Sequence, residues 1–142
     1  MKNLRFIYGL VLVALTVACT QEKKNDDAAE WPEMDAFHLI MAESYHPFRD
    51  SANLEPARRL APEMAAAATK WAGATLPEKV NTPEVKEKIN LLKSATDEFA
   101  QLVQTGSEEE IGNALTGLHD LFHELQDAWY GKGGGGHDHH KH

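Results

Sequence analysis

Residues 107–129 read SEEEIGNALTGLHDLFHELQDAW. Ile111, Leu115, Leu118, Phe122, Leu125 and Trp129 follow one another at intervals of 4, 3, 4, 3 and 4 residues. A helix turns once in about 3.6 residues, so this spacing holds six apolar side chains on one stripe for about five turns. Ser107 followed three residues later by Glu110 is a capping box, and Glu108, Glu109 and Glu110 suit the positive end of the helix dipole. A helix with a single apolar stripe must be covered by other elements, which points to helix-on-helix packing.

The rest of the folded region supplies the partners. Thr82-Pro83-Glu84 reads as an N-cap followed by proline at the first helical position, and Gly106 stops the helix that follows. Val85, Ile89, Leu92, Phe99, Leu102 and Val103 form its stripe. Residues 55–72 are rich in alanine, a strong helix former; Pro56 fits the first turn, Pro62 is expected to kink the helix, and Gly73 to end it. The first helix is expected over residues 31–48. Pro32, Glu33 and Asp35 fit its start, Phe37, Met41, Ser44 and Phe48 line its inner face, and Pro47 should bend or end it. No stretch alternates as a strand does. Short connections make neighbouring helices antiparallel, so the expected fold is all-α: an antiparallel up-down-up-down four-helix bundle over residues 31–130.

The segments outside the bundle have their own signatures. Lys2 and Arg5 precede an apolar run over residues 6–15 that ends in Thr16-Val17-Ala18-Cys19. This is the layout of a secretory signal peptide over residues 1–18, and the run is shorter than the roughly 20 residues that cross a bilayer. Its end resembles the lipobox of bacterial lipoproteins, with Thr16 where leucine is usual. That resemblance implies cleavage before Cys19, diacylation of Cys19 and anchoring to a membrane facing the periplasm or the cell exterior. Cys19 is the only cysteine, which leaves no partner for an intramolecular disulfide. Residues 19–30 are polar and read as a tether. Residues 131–142, GKGGGGHDHHKH, read as a flexible tail.

The whole chain has 142 residues and a net charge of −8. Removing residues 1–18 takes Lys2 and Arg5 and no acid, which leaves 12 basic against 22 acidic residues, or −10. So acidic a chain is unsuited to nucleic acid or to anionic headgroups.

Of the eight histidines, four lie in the bundle and four in the tail. His119 and His123 are spaced i, i+4 and sit one above the other on a flank of the last helix, the spacing by which a helix offers two imidazoles to one metal ion. If the first and last helices run antiparallel with Trp31 level with Trp129, His38 comes level with position 122. His38, His119 and His123 are then candidate ligands of one ion, with Met34 or a water as a further ligand. His46 is a further candidate about 12 Å along the axis from His38, which an ideal helix turns away from the inner stripe unless Pro47 re-aims it. Met41 and Met64 read as core filling. Glu43 and His46 make one Glu-x-x-His; di-iron bundles carry two, so a di-iron oxidase is set aside. In the tail, His137, His139, His140 and His142 resemble the histidine-rich ends of metal-handling proteins and suit zinc, copper or nickel as an auxiliary site.

Residues 82–129, TPEVKEKINLLKSATDEFAQLVQTGSEEEIGNALTGLHDLFHELQDAW, resemble the second half of the cytochrome b562 family of exported four-helix bundles. The shared features are the Pro-Glu helix start, the glycine between the last two helices and the aromatic-His pair Phe122-His123. The resemblance implies haem b held between a methionine of the first helix and a histidine of the last, here Met34 and His123. His38 and His119 are additional to that pattern, and the first half of the bundle departs from it. No Cys-x-x-Cys-His is present for covalent haem attachment.

Three functions follow as expectations. The first is a non-enzymatic envelope lipoprotein that binds a transition-metal ion, zinc or copper by ligand type. The second is a haem b electron carrier with Met34 or His38 opposite His123. The third is a metal-free interaction module. No nucleophile–base set, phosphate loop or paired-carboxylate motif points to an enzyme.

Overall fold

The structure is a computed structural model that describes residues 30–131. The expected signal peptide, Cys19 and the tail histidines lie outside the described residues. Among those described, four long helices pack into an up-down-up-down bundle: α1 (Pro32–Ser51), α2 (Glu55–Ala72), α3 (Pro83–Thr105) and α4 (Glu108–Tyr130). Each packs on the next, and α4 returns to α1. A single 3-10 turn, Glu78–Val80, lies in the α2–α3 connection and buries Val80 against the end of the bundle.

The helix starts follow their caps. The Thr82 hydroxyl accepts from the Val85 N–H at 3.2 Å. At α4 the capping box forms in both directions: the Glu110 N–H reaches the Ser107 hydroxyl at 3.2 Å, and Glu110 Oε2 accepts from the Ser107 N–H at 2.8 Å. Gly106 closes α3 with its N–H on the Leu102 carbonyl at 2.7 Å. A side chain at Gly106 would place its Cβ 2.8 Å from that same oxygen, so the turn requires glycine.

All six residues of the α4 stripe are buried. In α3, Thr96 occupies the inner position between Leu92 and Phe99 and satisfies its hydroxyl on the Lys93 carbonyl at 2.8 Å, while Leu102 is only half-buried. Met41 and Met64 are buried in the core. Burying side chains of this size stabilises by roughly 1.5–3 kcal/mol each, which is why the stripes dictate the packing.

Pro47 and Pro62 both lie inside their helices, Pro62 as expected. Pro47 does not end α1, which runs three residues past its expected end at residue 48, to Ser51. A proline inside a helix costs roughly 3 kcal/mol through a lost hydrogen bond and a clash. At Pro47 the following turn is held by packing. The Phe48 ring lies over Gly112 of α4, so close that a Cβ there would stand 2.8 Å from it. The Ser51 hydroxyl donates to the Pro47 carbonyl at 2.9 Å. Ala52, with φ 54°, then turns the chain out, its N–H on the Phe48 carbonyl at 2.7 Å.

The seam between the first and last helices sets up the site. α1 and α4 approach less closely than the other neighbours, and rings fill the gap. Trp31 packs on Trp129 with centroids 5.5 Å apart, Phe37 on Phe122 at 5.5 Å, and His38 on Phe122 at 5.4 Å. Trp71 of α2 stands edge-on to Trp31 at 5.0 Å. The Trp31–Trp129 and His38–Phe122 contacts share one antiparallel register.

Candidate metal centre

His119 and His123 project from successive turns of α4 toward α1. Their Nε2 atoms lie 3.0 Å apart, and their rings stand nearly perpendicular, centroids 4.3 Å apart at 75°. At that separation one Nε2 must accept what the other offers, so at most one proton fits between them. Two imidazoles bound to one tetrahedral ion, with metal–nitrogen bonds of about 2.0–2.1 Å, would hold their nitrogens about 3.3 Å apart. The pair is thus within a few tenths of an ångström of a two-ligand clip.

The surroundings fix the His119 ring. Tyr45 of α1 lies flat on it, centroids 3.7 Å apart and planes 15° from parallel. On the far side of the ring from Nε2, Nδ1 lies 3.6 Å from Asp120 Oδ1, too long for a hydrogen bond but close enough for the carboxylate to favour a proton on Nδ1. That tautomer makes His119 Nε2 the acceptor in its contact with His123. The His119 side chain is 22% exposed, so the pair is reachable from solvent without being bathed in it.

A small cleft opens where the pair meets α1. Its walls are His38, Met41, Ala42 and His46 of α1 and His119, Phe122 and His123 of α4, and its volume is about 10 Å³. That is about the size needed for one water-sized occupant. All four bundle histidines therefore face one cleft, including His46, which reaches it from the flank of α1. Among the described residues, however, no three His, Cys, Asp or Glu side chains stand close enough to enclose an ion as placed. His119 and His123 are at ligand spacing; His38 is stacked on Phe122.

Met34 belongs elsewhere. It is buried in the core, as Met41 is, but unlike Met41 it does not line the cleft. Met41, read from sequence as core filling, is the methionine in the cleft wall, and Tyr45 is the residue that covers His119. They follow His38 at i+3 and i+7, on the same side of α1. Their helix side was legible, but Met34, at i−4 from His38, shares it.

Haem b between Met34 and His123 would need a slot of roughly 300 Å³ or more. The space between α1 and α4 is instead filled by Phe37, Trp71 and Phe122, whose ring centroids lie 5.5–6.3 Å apart. The residues as packed do not fit a porphyrin.

No protein-family model, curated protein or solved structure matches this chain. The resemblance of residues 82–129 to the cytochrome b562 family therefore rests on the residues quoted above.

Proposed function

We propose that this chain is an exported lipoprotein, anchored through lipid on Cys19, whose bundle binds one transition-metal ion at the α1–α4 seam. His119 and His123 are the first ligands. His38 and His46, which line the same cleft, are further candidate donors that side-chain rotation would bring to the ion. The tail histidines His137, His139, His140 and His142 act as an auxiliary collector. The protein binds its ion and catalyses nothing.

The observation that carries this reading is the 3.0 Å separation of the His119 and His123 Nε2 atoms beside a cleft lined by two more histidines. A lone imidazole on a bundle flank is commonly a boundary residue. Two held nitrogen to nitrogen form a preorganised site, because the cost of orienting them is met by folding rather than by binding. The test is a zinc and copper titration of protein lacking residues 133–142. One stoichiometric site that disappears in His119→Ala and in His123→Ala supports the reading. The absence of any site, with no Soret band in the purified protein, leaves the interaction module in its place.

A further inference from the structure

We infer that the ion is copper(I) and that Met41 supplies a thioether ligand beside His119 and His123, an inference that rests on the metal reading above. The register across the α1–α4 seam singles out this methionine. With Trp31 against Trp129 and His38 against Phe122, position 41 comes level with position 119, whereas position 34 comes level with 126. Met41 accordingly forms part of the cleft wall next to the histidine pair.

The chemistry of the wall selects the metal. The residues lining the cleft that can donate to a metal are four histidines and Met41, none of which brings a negative charge, and the remaining wall is Ala42 and Phe122. The Asp120 carboxylate lies 3.6 Å from His119 Nδ1, and neither it nor any other carboxylate lines the cleft. The cost of taking an ion out of water rises with the square of its charge. A divalent ion among neutral donors therefore costs about four times as much as a monovalent one. Thioethers are soft ligands that favour copper(I), while zinc prefers a full tetrahedron of nitrogen, thiolate or carboxylate. Two imidazoles and a thioether satisfy copper(I) with three ligands.

The experiment uses the full chain with His137, His139, His140 and His142 changed to alanine. Copper(I) affinity is measured under reducing, anaerobic conditions against a chromophoric copper(I) chelator, and zinc affinity against a zinc chelator. The unsubstituted bundle should hold copper(I) at least 100-fold more tightly than zinc. Met41→Leu, which keeps the volume, should weaken copper(I) binding ten-fold or more and change zinc binding less than two-fold. Met34→Leu should change neither, and His119→Ala should weaken both. X-ray absorption of the copper-loaded, Met41-containing protein should show a sulfur neighbour, which tests the ligand even if Met41→Leu does not fold. Zinc bound as tightly as copper(I), or a copper spectrum without sulfur, overturns the copper inference and leaves the histidine site standing. No binding of either metal overturns both.

Discussion

The Nε2 atoms of His119 and His123 face each other at 3.0 Å across one turn of α4. Their shared occupant is either a proton or an ion, and the two compete. Metal should therefore raise the melting temperature, because an ion bound only by the folded chain stabilises it by mass action. His119→Ala and His123→Ala should each lose most of that increment, and the double substitution little more, since ligands of one ion act as a unit. The increment should fade below about pH 6, where imidazoles protonate and must release the metal. Thermal melts with and without metal across this range, on protein free of tail histidines, provide the check. Small additive losses would mean independent histidines.

Deleting residues 133–142 should leave the metal-free melting temperature unchanged, because the buried stripe of α4 ends at Trp129. Calorimetry should show weak metal sites removed and one tight site retained. Loss of all binding would assign the affinity to the tail alone.

Two glycines of α4 should respond oppositely to alanine. A Cβ at Gly117 meets nothing within 4 Å, so Gly117→Ala should stabilise by about 0.5–1 kcal/mol through the helical preference of alanine over glycine. A Cβ at Gly112 would lie 2.8 Å from the Phe48 ring. Gly112→Ala must displace that ring and should gain nothing or lose stability. Denaturant unfolding of the two variants tests the contrast; equal gains would show that the Phe48 contact is dispensable.

The capping box makes a pH-dependent contribution. The Ser107 N–H, and then its hydroxyl, hold the Glu110 carboxyl below its ordinary pKa. A lowered carboxylate pKa gives stability that is present above the unfolded pKa and lost as the pH falls through the folded one. Glu110→Gln should therefore lower the melting temperature at neutral pH and make little difference in acid. Ser107→Ala, which removes the cap itself, should cost about 1 kcal/mol. Melts taken between about pH 7 and pH 3 would expose the crossover.

Cys19→Ser should leave the protein uncleaved or free it from the membrane fraction, since no described helix is long and apolar enough to cross a bilayer. Fatty-acid labelling of the variant measures this. Label that persists on the serine protein would defeat the lipid assignment.

The helix pattern was readable because capping is local chemistry. Ser107 with Glu110, Thr82 before Pro83, and the stops at Gly73 and Gly106 each mark a boundary within a few residues of sequence. The end of α1 was not readable. Pro47 argues against helix on local grounds, and what overrides it is the packing of Phe48 on Gly112, more than sixty residues away. The histidine pair on α4 was visible from its spacing, and the level of His38 from the Trp31–Trp129 register. The choice between Met34 and Met41 was not visible in the α1 stripe, because residues seven apart share a helix face. Only the partner helix distinguishes them.

The α1–α4 seam joins the first helix of the bundle to the last, so His38 and His119 line one cleft across about 80 residues of intervening chain. Closing a loop of that length is entropically costlier than docking successive helices, and contacts between chain-distant segments form late in folding. Of the helix–helix contacts, the α1–α4 seam therefore carries the largest loop-closure cost. His119 and His123 pair within α4 itself, whereas His38, His46 and Met41 join them only when α1 packs on α4, so the full cleft exists only where that seam has closed.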